Sequence, residues 1–144
     1  MAHQKILTEL DQRRSRASQM GGEKKLLKRK SNGDLNAEER LEKLIDEDTF
    51  IELGLLGASA VFEHDIDKTP RDGKIVGFGQ VEGRDVGVVV NDFTTKGAST
   101  SATNSKKMGY IRKTCTERGM PFIHVGESTG ARLPDAMGSK GMGQ

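Results

Sequence analysis

Gly126-Glu127-Ser128-Thr129-Gly130-Ala131-Arg132-Leu133-Pro134 is the stretch of this chain best suited to chemistry. Its small residues leave backbone N–H groups open to a ligand. Such donors, aimed at one point, stabilise an oxyanion or enolate as negative charge develops. The competing reading is an ordinary strand-to-helix turn in which glycine serves its backbone angles. Ser128 lacks the Gly-x-Ser-x-Gly setting of a nucleophile elbow, so a Ser-His-Asp triad is not indicated. Gly77-Phe78-Gly79 falls inside an expected strand and is therefore not a dinucleotide fingerprint. Cys115 is the only cysteine, which excludes an intrachain disulfide and a cysteine-rich zinc site. Its spacing suits a helix face better than a nucleophile's setting. His3, His64 and His124 have no metal-like spacing and read as one tail, one loop and one strand residue.

The elements that must position this stretch can be read outward from it. Pro121 to Val125 reads as a buried strand feeding straight into the loop. Before it, a helix is expected from about Thr103 to Arg118, with Met108, Ile111 and Cys115 on one face and Gly119 as its stop. Residues 94–102 form a small-residue loop. Lys74 to Val81 and Asp85 to Asn91 read as a hairpin joined at Glu82-Gly83-Arg84. Val86-Gly87-Val88-Val89-Val90 suits a strand buried on both faces. Gly77, Gly79 and Gly87 mark close backbone packing or a bulge.

Further upstream, residues 55–73 read as loop, and Phe50-Ile51 as the start of an extended segment. Leu41, Leu44 and Ile45 stripe a helix capped by Asn36, with Glu39 placed for a capping box and Asp46-Glu47-Asp48 as its end. Residues 4–20 and 23–30 read as helices separated by Gly21-Gly22. The central order of strand, strand, helix, strand is a mixed α/β organisation.

Hydrophobic residues are 33% and aromatics 4% of the 144 residues, so the core must be aliphatic and small. No stretch approaches the ~18 apolar residues of a membrane span, and the charged first twenty residues do not resemble a secretory signal. A soluble, cytoplasmic protein with no membrane contact is expected. The net charge of +2 hides an asymmetry: residues 1–30 carry nine Lys/Arg against three acids, and residues 31–60 carry eight acids against two bases. Such an arm suits a solvated helix face, an anionic cofactor or nucleic acid. Without aromatic interleaving or a recognisable module, nucleic acid is not an expected partner.

Asp72-Gly73, Gly83-Arg84, Asp92-Phe93-Thr94, Gly97-Ala98-Ser99 and Ser128-Thr129-Gly130-Ala131-Arg132 occur in an order that resembles a known family. It is the carboxyltransferase (beta) subunit of biotin-dependent acyl-CoA carboxylases, of the propionyl-CoA and acetyl-CoA type. The family's "GDG", "GR", "DFT", "GGS" and "SGGAR" segments follow the same succession, and Leu35 to Leu41 resembles its "LTARERI" helix start. The resemblance runs over roughly residues 10–138. Ala98 and Thr129 each stand where the family has glycine, which bears on acyl-group preference.

The resemblance implies a crotonase-like spiral of strand-strand-helix units, incomplete here and preceded by a helical arm. Residues 1–34 would be the basic arm, and residues 35–144 the first part of the acyl-CoA-binding amino-terminal domain. It implies carboxyl transfer from carboxybiotin to the α-carbon of an acyl-CoA through an enolate. Gly130 or Ala131 would supply the backbone donor. Gly97, Ala98, Ser99, Ser128, Thr129 and Arg132 would contact substrate, and basic arm residues would face the CoA phosphates. No covalently bound cofactor is implied. Carboxybiotin would come from a separate carrier, with a biotin carboxylase and carrier subunit as partners and a homo-oligomer as the full-length form. The family's second glycine-rich motif and biotin-side domain lie beyond Gln144, so this chain alone is expected to be inactive. The run Gly138 to Gln144 would end a domain poorly, leaving apolar surface and strand edges uncovered. The other readings are a biotin-dependent decarboxylase, a non-catalytic CoA- or partner-binding module, and a nucleic-acid-binding arm. Hydratase or thiolase chemistry on a related fold is a minor option, since no second acid accompanies Glu127.

Overall fold

The structure, a computed structural model, describes residues 2–59 and 63–136. The run Gly138 to Gln144 lies outside them. Three helices open the chain: α1 (Ala2–Ser18), α2 (Glu23–Ser31) and α3 (Ala37–Leu44). Asn36 accepts from the Glu39 N–H at 3.0 Å while Glu39 accepts from the Asn36 N–H at 2.8 Å, the expected capping box. Such a cap contributes about 1 kcal/mol to its helix. Helix α3 ends at Leu44, earlier than the acidic run suggests, because Ile45 turns extended to reach the core.

Strands β1 (Ile51–Glu52), β2 (Lys74–Val81), β3 (Arg84–Asn91) and β4 (Phe122–Val125) form one sheet in that order. β1, β2 and β3 pair antiparallel, and β4 joins β3 in parallel. The parallel pair needs a crossover, which is helix α4 (Ala102–Arg118). The hairpin turns on Glu82 and Gly83 at φ of 50° and 74°, the two positive angles that a two-residue turn between twisted strands requires. Segment 55–73 departs from a plain loop: 3-10 turns occupy Glu63–Lys68, which contains His64, and Pro70–Gly73.

Each face of the sheet has its own core. Val76 and Val89 pack against Ile111 and Cys115 of α4 on one side. Ile75, Val86, Val88 and Val90 pack with Ile45, Ala37 and Met20 on the other. Val86 to Val90 is thus buried on both faces, as its run of valines implies. Gly87 lies so close to Cys115 Sγ and Ile111 that a side chain there would collide. Among the described residues β4 is the last strand of the sheet, and Phe122 on it is 37% exposed where a buried strand is expected. Its carboxyl end delivers residues 126–132, and a four-residue helix α5 (Leu133–Ala136) follows.

Candidate active site

Two left-handed turns frame the site. Arg71, Asp72 and Gly73 have φ of 53°, 46° and 72°, and Lys96, Gly97 and Ala98 have 49°, 60° and 49°. Non-glycine residues rarely hold such angles, which cost about 1–2 kcal/mol each and persist only where the surroundings over-determine them. Here the turns brace each other. The Gly73 carbonyl accepts from the Asp92 N–H at 2.9 Å, and a Cβ on Gly73 would stand 3.1 Å from the Thr95 carbonyl oxygen. Asp72, fully buried, accepts from the Arg132 guanidinium at 2.6 Å, from the Asn104 N–H at 3.1 Å and from the Ser101 hydroxyl. One carboxylate therefore joins the first turn, the start of α4 and the end of the Gly126–Arg132 stretch.

That stretch lies alongside the second turn as a short parallel ladder. Thr129 N–H donates to the Gly97 carbonyl (2.9 Å), Thr100 N–H to Gly130 (2.8 Å) and Arg132 N–H to Thr100 (2.8 Å). The Ser128 hydroxyl donates to the Ala98 carbonyl at 3.1 Å and accepts from the Gly130 N–H at 3.1 Å. The Ala131 N–H lies on the outer side of the ladder, is exposed, and has no acceptor among the described residues. A free backbone donor beside a strand end is the element an oxyanion hole needs.

A second polar layer lies beneath the ladder. Lys74 Nζ donates to Asn91 Oδ1 at 3.0 Å and to the Ala98 carbonyl at 3.2 Å. Asn91 Nδ2 donates to the Glu127 carbonyl at 3.1 Å, and His124 Nε2 stands 3.1 Å from Asn91 Oδ1. Burial lowers the Lys74 pKa, partly offset by Asp72, and lowers that of His124, helped by the Lys74 charge.

Above the ladder, the arm closes on the Glu127 carboxylate. Arg29 grips both oxygens at 2.9 and 3.0 Å, and Arg40 of α3 reaches one at 2.8 Å. The Arg29 hydrogen bond is the main reason the Glu127 pKa is lowered. Arg29 also lies 5.8 Å over the Phe93 ring, and Lys25 Nζ donates to the Thr94 carbonyl at 2.7 Å.

The structure thus brings Gly97, Ala98, Ser99, Ser128, Thr129, Gly130, Ala131 and Arg132 to one place. Their side chains are not equally available. Arg132 is 8% exposed and spends its guanidinium on Asp72, Ser99 and Asp135. Thr129 covers Gly97, occupying the space a side chain at Gly97 would need. Of the arm's cations, Lys24, Lys28 and Lys30 face solvent while Lys25 and Arg29 are engaged. Cys115 is buried with its thiol pKa pushed up by burial, the opposite of nucleophile activation. Among the described residues no group of acids, histidines and cysteine could hold a metal. Sequence reasoning missed Asp72 as the hub, the Lys74–Asn91–His124 layer and the arginine pair on Glu127. An aspartate between arginine and glycine after a proline was the one visible signal for the first.

Residues 28–144 match the Carboxyl transferase domain family. The propionyl-CoA carboxylase beta chain of Roseobacter denitrificans is 35% identical over 136 residues, 93% of this chain and 27% of the relative. The methylmalonyl-CoA decarboxylase subunit alpha of Veillonella parvula is 31% identical over 119 residues, 81% and 23% respectively. A solved transcarboxylase 12S core, a hexamer with methylmalonyl-coenzyme A bound, superimposes with a TM-score of 0.84 at 30% identity, covering 97% of this chain and 28% of that one. The chain spans about a quarter of the length of the relatives it matches. The strand-strand-helix unit here is that of the crotonase-like fold these structures share, and no helix among the described residues is long and apolar enough to cross a membrane. With this sequence match over most of its length and this fold, the chain belongs to the carboxyl transferase domain family.

Proposed function

We propose that the complete protein transfers a carboxyl group between biotin and the α-carbon of an acyl-CoA, and that this chain supplies the start of its acyl-CoA site. Residues 1–34 are the arm and residues 35–144 the opening part of the acyl-CoA-binding domain. Carboxybiotin, presented by a separate carrier subunit, would supply the carboxyl group and accept the α-proton that the group replaces. The new bond joins the α-carbon to the carboxyl carbon. The task of this chain is to hold the thioester carbonyl and stabilise the enolate oxygen.

The observation that carries this reading is the N–H of exposed Ala131, which has no acceptor among the described residues at the rim of the ladder. It favours Ala131 over Gly130 as donor, because the Gly130 N–H is spent on Ser128. Glu127 is unsuited to hydratase acid–base work, since two arginines hold its carboxylate ionised. A homo-oligomer, a biotin carboxylase partner and a cytoplasmic setting complete the proposal.

The test is carboxyl transfer from carboxybiotin to propionyl-CoA or acetyl-CoA by the complete protein, followed with labelled carboxyl carbon. Transfer onto the thioester is expected. Transfer only from a malonyl-type thioester to biotin establishes the decarboxylase reading, which the Veillonella relative favours. Thioester binding without transfer in either direction establishes a binding module and overturns the proposal.

A further inference from the structure

Lys74 is 2% exposed at the start of β2, and no carboxylate among the described residues lies within ion-pair distance of its ammonium. A buried, unpaired cation is costly, and such groups cluster at functional sites. Its two acceptors are informative. Through Asn91, Lys74 reaches the Glu127 carbonyl, where the candidate turn begins. Through the Ala98 carbonyl it reaches the Ser128 hydroxyl, which holds the Gly130 N–H. One ammonium is thus linked, through Asn91 and through the Ala98 carbonyl, to the adjacent residues Glu127 and Ser128 at the start of the turn that carries Ala131. The other charges around it are Asp72 and Arg132, paired with each other at 2.6 Å, and Lys107, whose ammonium donates to the Lys74 carbonyl at 2.9 Å. His124 meets it only through Asn91.

We propose that Lys74 is a positioning residue of the site, a buried cation that fixes the Gly126–Arg132 turn and places positive charge beneath the developing enolate. Its catalytic consequence rests on the carboxyltransferase reading, whereas the positioning itself does not. The buried ammonium also gains from losing its proton, so the charge beneath the site falls at a lower pH than an exposed lysine would allow.

The experiment compares the complete protein with its Lys74→Met and Lys74→Gln variants. Amide hydrogen exchange at Gly130 is expected to quicken about tenfold or more in Lys74→Met, with the β2–β3 amides unchanged. In Lys74→Gln, which keeps a donor without the charge, Gly130 stays protected. Carboxyl transfer by Lys74→Met is expected to fall about 10–100-fold in kcat, with KM for the acyl-CoA within about threefold of wild type. Wild-type activity should show an alkaline limb that the Met variant lacks. Unchanged Gly130 exchange in Lys74→Met, or equal loss of protection across β2–β3 in both variants, overturns the proposal. If the wild-type protein transfers no carboxyl group, the proposed function fails, and exchange at Gly130 alone decides the role of Lys74.

Discussion

The Arg132 guanidinium lies 2.6 Å from the Asp72 carboxylate, sixty residues earlier in the chain, and both groups are withdrawn from solvent. Asp72 is simultaneously the acceptor for the first turn of α4. The pair therefore locks three segments that no local propensity would bring together. Replacing Arg132 with Ala leaves a buried carboxylate uncompensated, for which a loss of about 3–5 kcal/mol is expected in urea unfolding. Asp72→Ala with Arg132→Ala should cost clearly less than the sum of the two single changes, the signature of direct coupling. Additive losses would contradict it.

The second left-handed turn makes a steric prediction. A methyl on Gly97 would stand 2.5 Å from Thr129 Cγ2 at a φ of +60°. Gly97→Ala should therefore destabilise by about 1–3 kcal/mol, the usual range for overpacking, and Thr129→Gly should recover part of that loss. Ala98→Gly relieves a φ of +49° but gives up one buried methyl, so its net effect should stay within about 1 kcal/mol. Thermal unfolding of the three variants separates these outcomes.

Glu127 links the arm to the candidate turn in a pH-dependent way. Its folded-state pKa is depressed, chiefly by Arg29. The linkage is then fully present above the ~4.3 of an unfolded glutamate and disappears as pH falls through the folded value. Acidification should release α2, seen as faster amide hydrogen exchange of its helix relative to the intrinsic rate at each pH. Glu127→Gln should show that loss of protection already at neutral pH and little further change with acid.

Lys107 gives a slope of the same sign at alkaline pH, for a different reason: burial disfavours its charged form. It donates to the Arg71 and Lys74 carbonyls at 2.9 Å each, and burial lowers its pKa to about 8. Below about 8 both the folded and unfolded forms are protonated and the desolvation cost is borne in full. From there to the ~10.4 of an unfolded lysine, the unfolded chain binds more protons, so stability rises with pH. A neutral amine keeps two N–H donors, enough for both carbonyls. The wild-type unfolding free energy minus that of Lys107→Met should thus increase across this window. A flat difference would mean an ordinary, solvated lysine.

Much of the fold was legible in the sequence. The Asn36/Glu39 cap, the Glu82-Gly83 turn and the valine run each act through residues close in the chain, so their signal is local. Strand β2 occurs at the expected Lys74 to Val81, and α4 begins one residue earlier than Thr103, where Ser101 and Asn104 form a second capping box. The 3-10 turns of residues 63–73 were not legible, because they are imposed by neighbouring segments rather than by local composition.

The sequence alone determined that a glycine-bearing stretch follows a strand, that a basic arm precedes an acidic segment, and that ordered motifs share one family. Only the tertiary structure decided which of those residues remain available. It turned the Gly130 N–H onto Ser128 and left that of Ala131 without an acceptor among the described residues, committed Arg132 to Asp72, and set Lys74 between Asn91 and the Ala98 carbonyl. Local spacing fixes backbone direction, whereas the partner of each polar group depends on segments up to 98 residues apart, as with Arg29 and Glu127. Burial then decides how strongly each such partnership counts.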